Sequence, residues 1–225
     1  MTVTLTPVQA WQEMQEGNRR FVAGTPAHPH QDVEKRHELA DGQAPIATLF
    51  GCSDSRLAAE IIFDAGLGDL FVVRNAGQVI GESIVASLEY AVEILRVPLI
   101  VVLAHDSCGA VRAAIDGSAI DAAPLPAGIW KLVAPIVPAA RKVFAESGAT
   151  STADIDSQLV GAEHLRNTVA DLLQSSELIS AAVDEGRLGI VGANYRLAQG
   201  TAVPVITVGI DTGVADDPAT QEGSA

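Results

Sequence analysis

Positive charge is scarce in this chain. Fourteen Lys and Arg stand against 28 Asp and Glu, leaving a net charge of −14. Nucleic-acid phosphate and an anionic membrane surface both call for a basic face, so neither is expected as a partner. Long apolar runs are missing too. The longest, Val97 to Ala104, falls far short of the roughly 20 residues that a membrane-spanning helix needs. Met1 to Arg20 hold no apolar stretch of the signal-peptide kind, which makes a cytoplasmic protein the expectation. Aromatic residues amount to 4%, yet hydrophobic residues reach 48%, so an ample core must be built mainly from aliphatic side chains. A chain of 225 residues suits one α/β domain better than two. No internal repeat, linker or low-complexity block divides it.

Cysteine is scarcest of all, and its placement is informative. The two cysteines, Cys52 and Cys108, each follow a run that reads as a buried strand. Ile46 to Phe50 leads into Gly51-Cys52-Ser53-Asp54-Ser55-Arg56, and Pro98 to Ala104 leads into His105-Asp106-Ser107-Cys108-Gly109. Parallel strands of an open α/β sheet discharge their loops at one edge, where ligands bind. Cys52, Asp54, Arg56, His105 and Cys108 are therefore expected in one crevice. Two sulfurs and one imidazole suit a tetrahedral zinc, with three protein ligands leaving a fourth position open, as in catalytic sites. Asp54 and Arg56 are placed to pair, since a guanidinium favours a two-point grip on a carboxylate.

Along the chain, Pro7 to Val22 predicts an amphipathic helix capped by Thr6, with Trp11, Met14, Phe21 and Val22 as a partial apolar stripe. It precedes the sheet and has no fixed place in a doubly wound core. Gln31 to Ala40 predicts a charged helix, Asp69 to Val73 a second strand, Glu82 to Leu95 a helix, and Val97 to Ala104 a strand buried on both faces. Pro135 and Pro138 predict a break within Ala127 to Phe144. Further helices are expected over Ile155 to Leu173 and Glu177 to Glu185, then a strand over Arg187 to Tyr195 and a last, returning strand over Val203 to Val208. The expected fold is α/β, a mostly parallel central sheet of four to five strands flanked by helices. The whole of residues 1–225 forms one domain, with an N-terminal arm up to residue 24 and a frayed tail over residues 211–225.

The motif Cys-x-Asp-x-Arg at Cys52 to Arg56, followed by His-x-x-Cys-Gly-Ala at His105 to Ala110, resembles the β-class carbonic anhydrases. Phe71 to Gly77 and Ser87 to Ala91 sit where that family has similar segments, and the likeness runs from about Trp11 to about Val208. The resemblance implies one zinc per chain on Cys52, His105 and Cys108. It also implies reversible conversion of CO2 to bicarbonate by attack of a zinc-bound hydroxide. Asp54 would either accept a hydrogen bond from that nucleophile or ligate zinc itself, and Arg56 would hold it off the metal. Gln43, nine residues before Cys52, matches a substrate-binding glutamine. The first helix would be an arm packed on a partner subunit, in a homodimer or homotetramer; the alternative is a helix folded on its own domain. Arg74 and Tyr195 match positions that in some members help form a non-catalytic bicarbonate pocket. Those members carry tryptophan where Leu49 stands here, which speaks against that pocket.

Other readings keep parts of this pattern. The same site could hydrolyse carbonyl sulfide or carbon disulfide. A zinc-stabilised binding module would take Asp54 as a fourth ligand. Cys52 and Cys108 could instead form a disulfide, although a thiol pair in a cytosolic chain is more often metal-binding or catalytic. A phosphatase-like loop is disfavoured, because Cys52 to Arg56 is short for cradling phosphate and Asp54 would repel it. His28, His30, His37 and His164 read as ordinary residues, and Asp106 is given no role.

Overall fold

The computed structural model describes residues 5–211. Five strands form one sheet in the order β2-β1-β3-β4-β5: β1 Ala47–Cys52, β2 Leu70–Asn75, β3 Leu99–His105, β4 Gly189–Arg196 and β5 Thr201–Val208. The first four pair in parallel, and β5 returns antiparallel along β4, as the sequence predicts. Alternation along the central strands divides the core in two. Leu49, Leu99, Val101, Leu103 and Val191 face one layer, while Phe50, Ile100, Val102, Ala104 and Ile190 face the other. All residues of β3 are buried, which explains its unbroken apolar run.

The first layer carries α1 (Pro7–Val22), α3 (Ala59–Ile62), α5 (Gly109–Gly117), α6 (Ala127–Val133) and α7 (Val137–Ser147). The opposite layer is built chiefly from α4 (Glu82–Glu93), α8 (Ser157–Ser175) and α9 (Glu177–Asp184). A short charged helix, α2 (Val33–Glu38), lies on the surface with no buried residue. The expected proline break is a 3-10 turn at Ala134–Ile136 between α6 and α7. Proline opens each new segment there, where its missing N–H costs nothing. The tail expected from residue 211 lies, but for Asp211, outside the described residues.

The N-terminal helix forms as predicted, with Thr6 and Gln9 forming a capping box, and within one chain α1 docks on its own domain. Trp11 and Met14 are each 2% exposed. Gly17 passes so close to Phe63 that a Cβ would lie 1.8 Å from the Phe63 carbonyl oxygen. Asn18 donates to the carbonyls of Ile62 (3.0 Å) and Gly200 (2.8 Å) and accepts from the N–H of Ala202 (3.0 Å). One buried side chain thus satisfies three backbone groups from two distant segments, which ties the helix down.

A second tie depends on pH. Asp64 is almost wholly buried and accepts from the Arg20 guanidinium on α1 and from the N–H groups of Ala27 (2.8 Å) and His28 (2.9 Å). Burial pushes its carboxyl up, but the Ala27 N–H, the Arg20 guanidinium and the His28 N–H outweigh that, and the net displacement is downward. With the folded pKa below the unfolded one, its contribution is complete above about pH 4 and is lost as pH falls through the folded value. Asp64→Asn should lower stability by about 2 kcal/mol at neutral pH. Asparagine tolerates the left-handed backbone at this position (φ +44°), so the change isolates the charge. Urea unfolding of both proteins at neutral pH and near pH 3 should show the gap closing in acid; a constant gap would mean that the carboxylate charge contributes nothing.

Candidate metal centre

Cys52 closes β1 and His105 closes β3, and these strands are neighbours. Both chains therefore leave the sheet at its carboxyl edge side by side. Beyond His105 the backbone turns through Ser107 in a left-handed conformation (φ +52°), which brings Cys108 back toward the strand end, where it caps α5. The two sulfurs lie 4.0 Å apart. Sulfur of Cys52, imidazole of His105 and sulfur of Cys108 all lie within 4.8 Å of one another, and all three residues are buried. Both cysteines are free thiols, so the disulfide alternative has no place in this structure.

The trio fits a tetrahedral metal. Two bonds of ~2.3 Å to sulfur at a tetrahedral angle put the sulfurs ~3.8 Å apart. The imidazole is oriented for the same purpose. His105 Nδ1 lies 2.8 Å from the carbonyl oxygen of Asp106, which can only accept, so Nδ1 carries the hydrogen. Nε2 is then a bare acceptor, buried and without a hydrogen-bond partner. An orphaned acceptor facing two thiols is costly unless a cation fills the gap. Between the thiols, Cys52 is the one whose pKa is pushed down, chiefly by the Cys108 hydrogen bond and against burial. Cys108 is pushed up by that same partner.

Asp54 lies beside the trio rather than within it. Its Oδ2 is 3.9 Å from His105 Nε2. Arg56 grips the carboxylate at both oxygens, Nε to Oδ1 at 2.8 Å and Nη2 to Oδ2 at 2.7 Å, and the Arg56 N–H adds a bond of 2.9 Å to Oδ1. The Arg56 guanidinium holds the Asp54 carboxyl well below the usual carboxylate range, against its desolvation. A closed four-ligand site would require Asp54 as the fourth donor, and here it is turned to Arg56 instead. That arrangement disfavours the binding-module alternative.

Gln43 is not brought to this crevice within one chain. It is exposed on the loop that enters β1, beside Arg36, Leu39, Leu67 and Gly68. The trio sits at the strand's other end, about 17 Å along five steps of extended chain. Arg74 bonds to the backbone, donating to the carbonyls of Cys52 (3.0 Å) and Asp54 (2.7 Å). Tyr195 sits on β4, separated by both β1 and β3 from β2, which carries Arg74. Sequence reasoning misses Arg74 as the brace of the first motif loop, and misses Asp106, whose carboxylate accepts from the Leu197 N–H at 3.1 Å. It also misses the N–H of Gly77, which donates to Cys52 Sγ at 3.3 Å. Its one visible signal is the glycine in the Asn75-Ala76-Gly77 turn.

Comparison with known proteins bears on the same residues. A family model described as carbonic anhydrase matches residues 47–202. The chain belongs to the β-carbonic anhydrase family. Carbonic anhydrase 2 of Mycobacterium tuberculosis is 50% identical over 201 residues, covering 88% of this chain and 92% of that protein. A carbonic anhydrase of Mycolicibacterium smegmatis is 46% identical over 194 residues, covering 86% and 91%. Among solved structures, the β-carbonic anhydrase CafA of Aspergillus fumigatus superposes with a TM-score of 0.68 at 26% identity, over 86% of this chain and 89% of its own. As a β-carbonic anhydrase, this protein is an enzyme, and its reaction is the hydration of CO2. Among the described residues no helix is long and apolar enough to cross a membrane.

Proposed function

We propose that this chain interconverts CO2 and bicarbonate with one zinc ion held by Cys52, His105 and Cys108, and with Asp54 and Arg56 as the catalytic pair. The observation that carries the assignment is the buried, partnerless Nε2 of His105 facing two free thiols. Bound there, zinc supplies a Lewis acid that makes water acidic enough to act as a nucleophile near neutral pH. The chain's own residues do the rest. His105 is fixed in the right tautomer by the Asp106 carbonyl. Asp54, kept ionised by Arg56, offers a carboxylate oxygen beside the ligand cluster. That oxygen can accept a hydrogen bond from the nucleophile and hold its lone pair toward CO2. Arg56 keeps the carboxylate in that second role instead of letting it become a ligand.

Gln43 enters this scheme only across a subunit boundary. A strand's length separates it from the trio of its own chain, so as a substrate ligand it must come from a second copy. Assembly into a homodimer or homotetramer is therefore part of the proposal. A cytoplasmic location is proposed as well, since a site of two reduced thiols suits a reducing compartment.

One preparation tests the scheme. Purified protein should hold about one zinc per chain, with metal-edge absorption reporting two sulfur and one nitrogen ligand from the protein, and should hydrate CO2. Sedimentation of the same sample should give a dimer or larger. An N/O-only zinc shell would sink the ligand assignment, and an active monomer would remove Gln43.

A further inference from the structure

The turn after β2 holds two consecutive residues in the left-handed region, Gly77 at φ +83° and Gln78 at φ +41°. Glycine is required at the first, where a Cβ would lie 2.9 Å from Ala110 Cβ and 3.1 Å from Ile136 Cδ1. Gln78 is not glycine and is 1% exposed; such a conformation persists where the surroundings over-determine it. Asn75 supplies part of that constraint, donating to the Val79 carbonyl at 2.7 Å and accepting from its N–H at 2.9 Å. The rest comes from α8. His164, buried at 3% exposure, lies with Nε2 2.8 Å from the carbonyl oxygen of Gly77. A carbonyl only accepts, so Nε2 carries the hydrogen. Thr168, one turn further on, directs its hydroxyl to the His164 carbonyl at 2.8 Å and stands 3.5 Å from that of Gln78. The principal hydrogen bond from α8 to the turn is therefore His164's. On its other side the same Gly77 presents its N–H to Cys52 Sγ at 3.3 Å.

We propose that His164 is a positioning residue for the metal centre. By fixing Gly77 through its carbonyl, it aims the Gly77 N–H at the Cys52 sulfur and so limits the charge that this sulfur gives to a bound metal. His164 touches neither substrate nor ligand. The chemistry is that of outer-shell tuning, in which a hydrogen bond to a ligand atom sets its donor strength and its orientation. Two thiolates make an electron-rich site, which works against a Lewis acid. The Gly77 N–H relieves Cys52, and His164 holds it there from a helix on the opposite layer of the sheet.

The proposal rests on the metal reading above, and the experiment separates the two. Purified wild type, His164→Phe and His164→Gln are titrated with Co2+, following the thiolate-to-cobalt absorption band and metal affinity by chelator competition. A wild type without a thiolate band refutes the metal reading itself. Given that band, His164→Phe should move it to lower energy, because the sulfur gives up more charge, and should weaken metal affinity about 10-fold, because the ligand is no longer held in orientation. His164→Gln, whose amide can still donate to Gly77, should return both toward wild type. A His164→Phe band at the wild-type position overturns the proposal even if affinity falls, because simple loosening leaves the sulfur's donor strength unchanged. A His164→Gln band displaced as far as that of His164→Phe overturns it too. If His164→Phe does not fold, His164→Asn, whose amide is one methylene shorter, takes its place under the same criterion.

Discussion

Cys52→Ser and Cys108→Ser should each abolish zinc binding and lower CO2 hydration on the order of 10³-fold or more. A hydroxyl is a far poorer ligand than a thiolate, and a three-residue site cannot compensate for losing one donor. The two variants should nevertheless differ in stability. Cys108 occupies the N-cap of α5, with extended backbone (φ −72°, ψ 121°). Serine is among the best residues for that position, since its oxygen can accept from the first free N–H groups of the helix. Cys52 ends a fully buried strand at 4% exposure, and its sulfur already accepts from Gly77 at 3.3 Å. A shorter C–O bond there draws the acceptor away from its donor. The metal-free Cys108→Ser protein should therefore unfold at higher urea than metal-free Cys52→Ser, by about 1 kcal/mol. Stoichiometric zinc in either variant would sink the ligand assignment, and the reverse order of stability would sink the capping argument.

Much of this molecule is legible in its amino-acid sequence. The central strands are legible because burial on both faces leaves a continuous apolar run, and Leu99 to His105 is such a run. The metal trio is legible because its three donors end or follow two such strands, and parallel neighbours must deliver their loops to one edge. Local chemistry is legible too: the Thr6 cap, the break at Pro135 and the Asp54–Arg56 pair depend on residues at most a few positions apart. What escapes depends on contacts distant in sequence. Nothing near Gly17 and Asn18 announces that they fit against Phe63 and Gly200, so the docking of α1 leaves no local trace. His164 reads as ordinary on its helix because its partner is a carbonyl 87 residues earlier. Gln43 is placed by resemblance to a substrate-binding position, and the length of β1 puts it at the opposite end of its own sheet from the trio.

Arg56→Ala should cut CO2 hydration about 10²-fold while leaving the unfolding midpoint unchanged. The two halves of that expectation have different causes. Arg56 is half-exposed, with 51% of its side chain accessible, and exposed ion pairs contribute little to stability. Its geometric work is larger. Two guanidinium bonds of 2.8 and 2.7 Å fix both oxygens of Asp54, and a further contact of 3.4 Å to the Ser107 carbonyl ties the pair to the second motif loop. Without the fork, the carboxylate loses the partner that holds it well below the usual range and that turns it from the trio. It lies 3.9 Å from His105 Nε2 already, so a modest rotation carries an oxygen toward the metal position. The expected product is a zinc with four protein ligands, the closed arrangement typical of structural sites. A crystal structure of zinc-loaded Arg56→Ala should then show an Asp54 carboxylate oxygen at roughly 2.0–2.2 Å from the metal, in the place of water. Arg56→Lys should fall between, because an ammonium supplies charge without the two-point geometry. Asp54→Asn separates the remaining possibility. It cannot serve as an anionic ligand, so it should keep an open metal position yet lose activity through the missing acceptor. If Arg56→Ala retains wild-type turnover, the guanidinium is merely a surface partner of Asp54, and the carboxylate must be held in place by the backbone N–H of Arg56 alone.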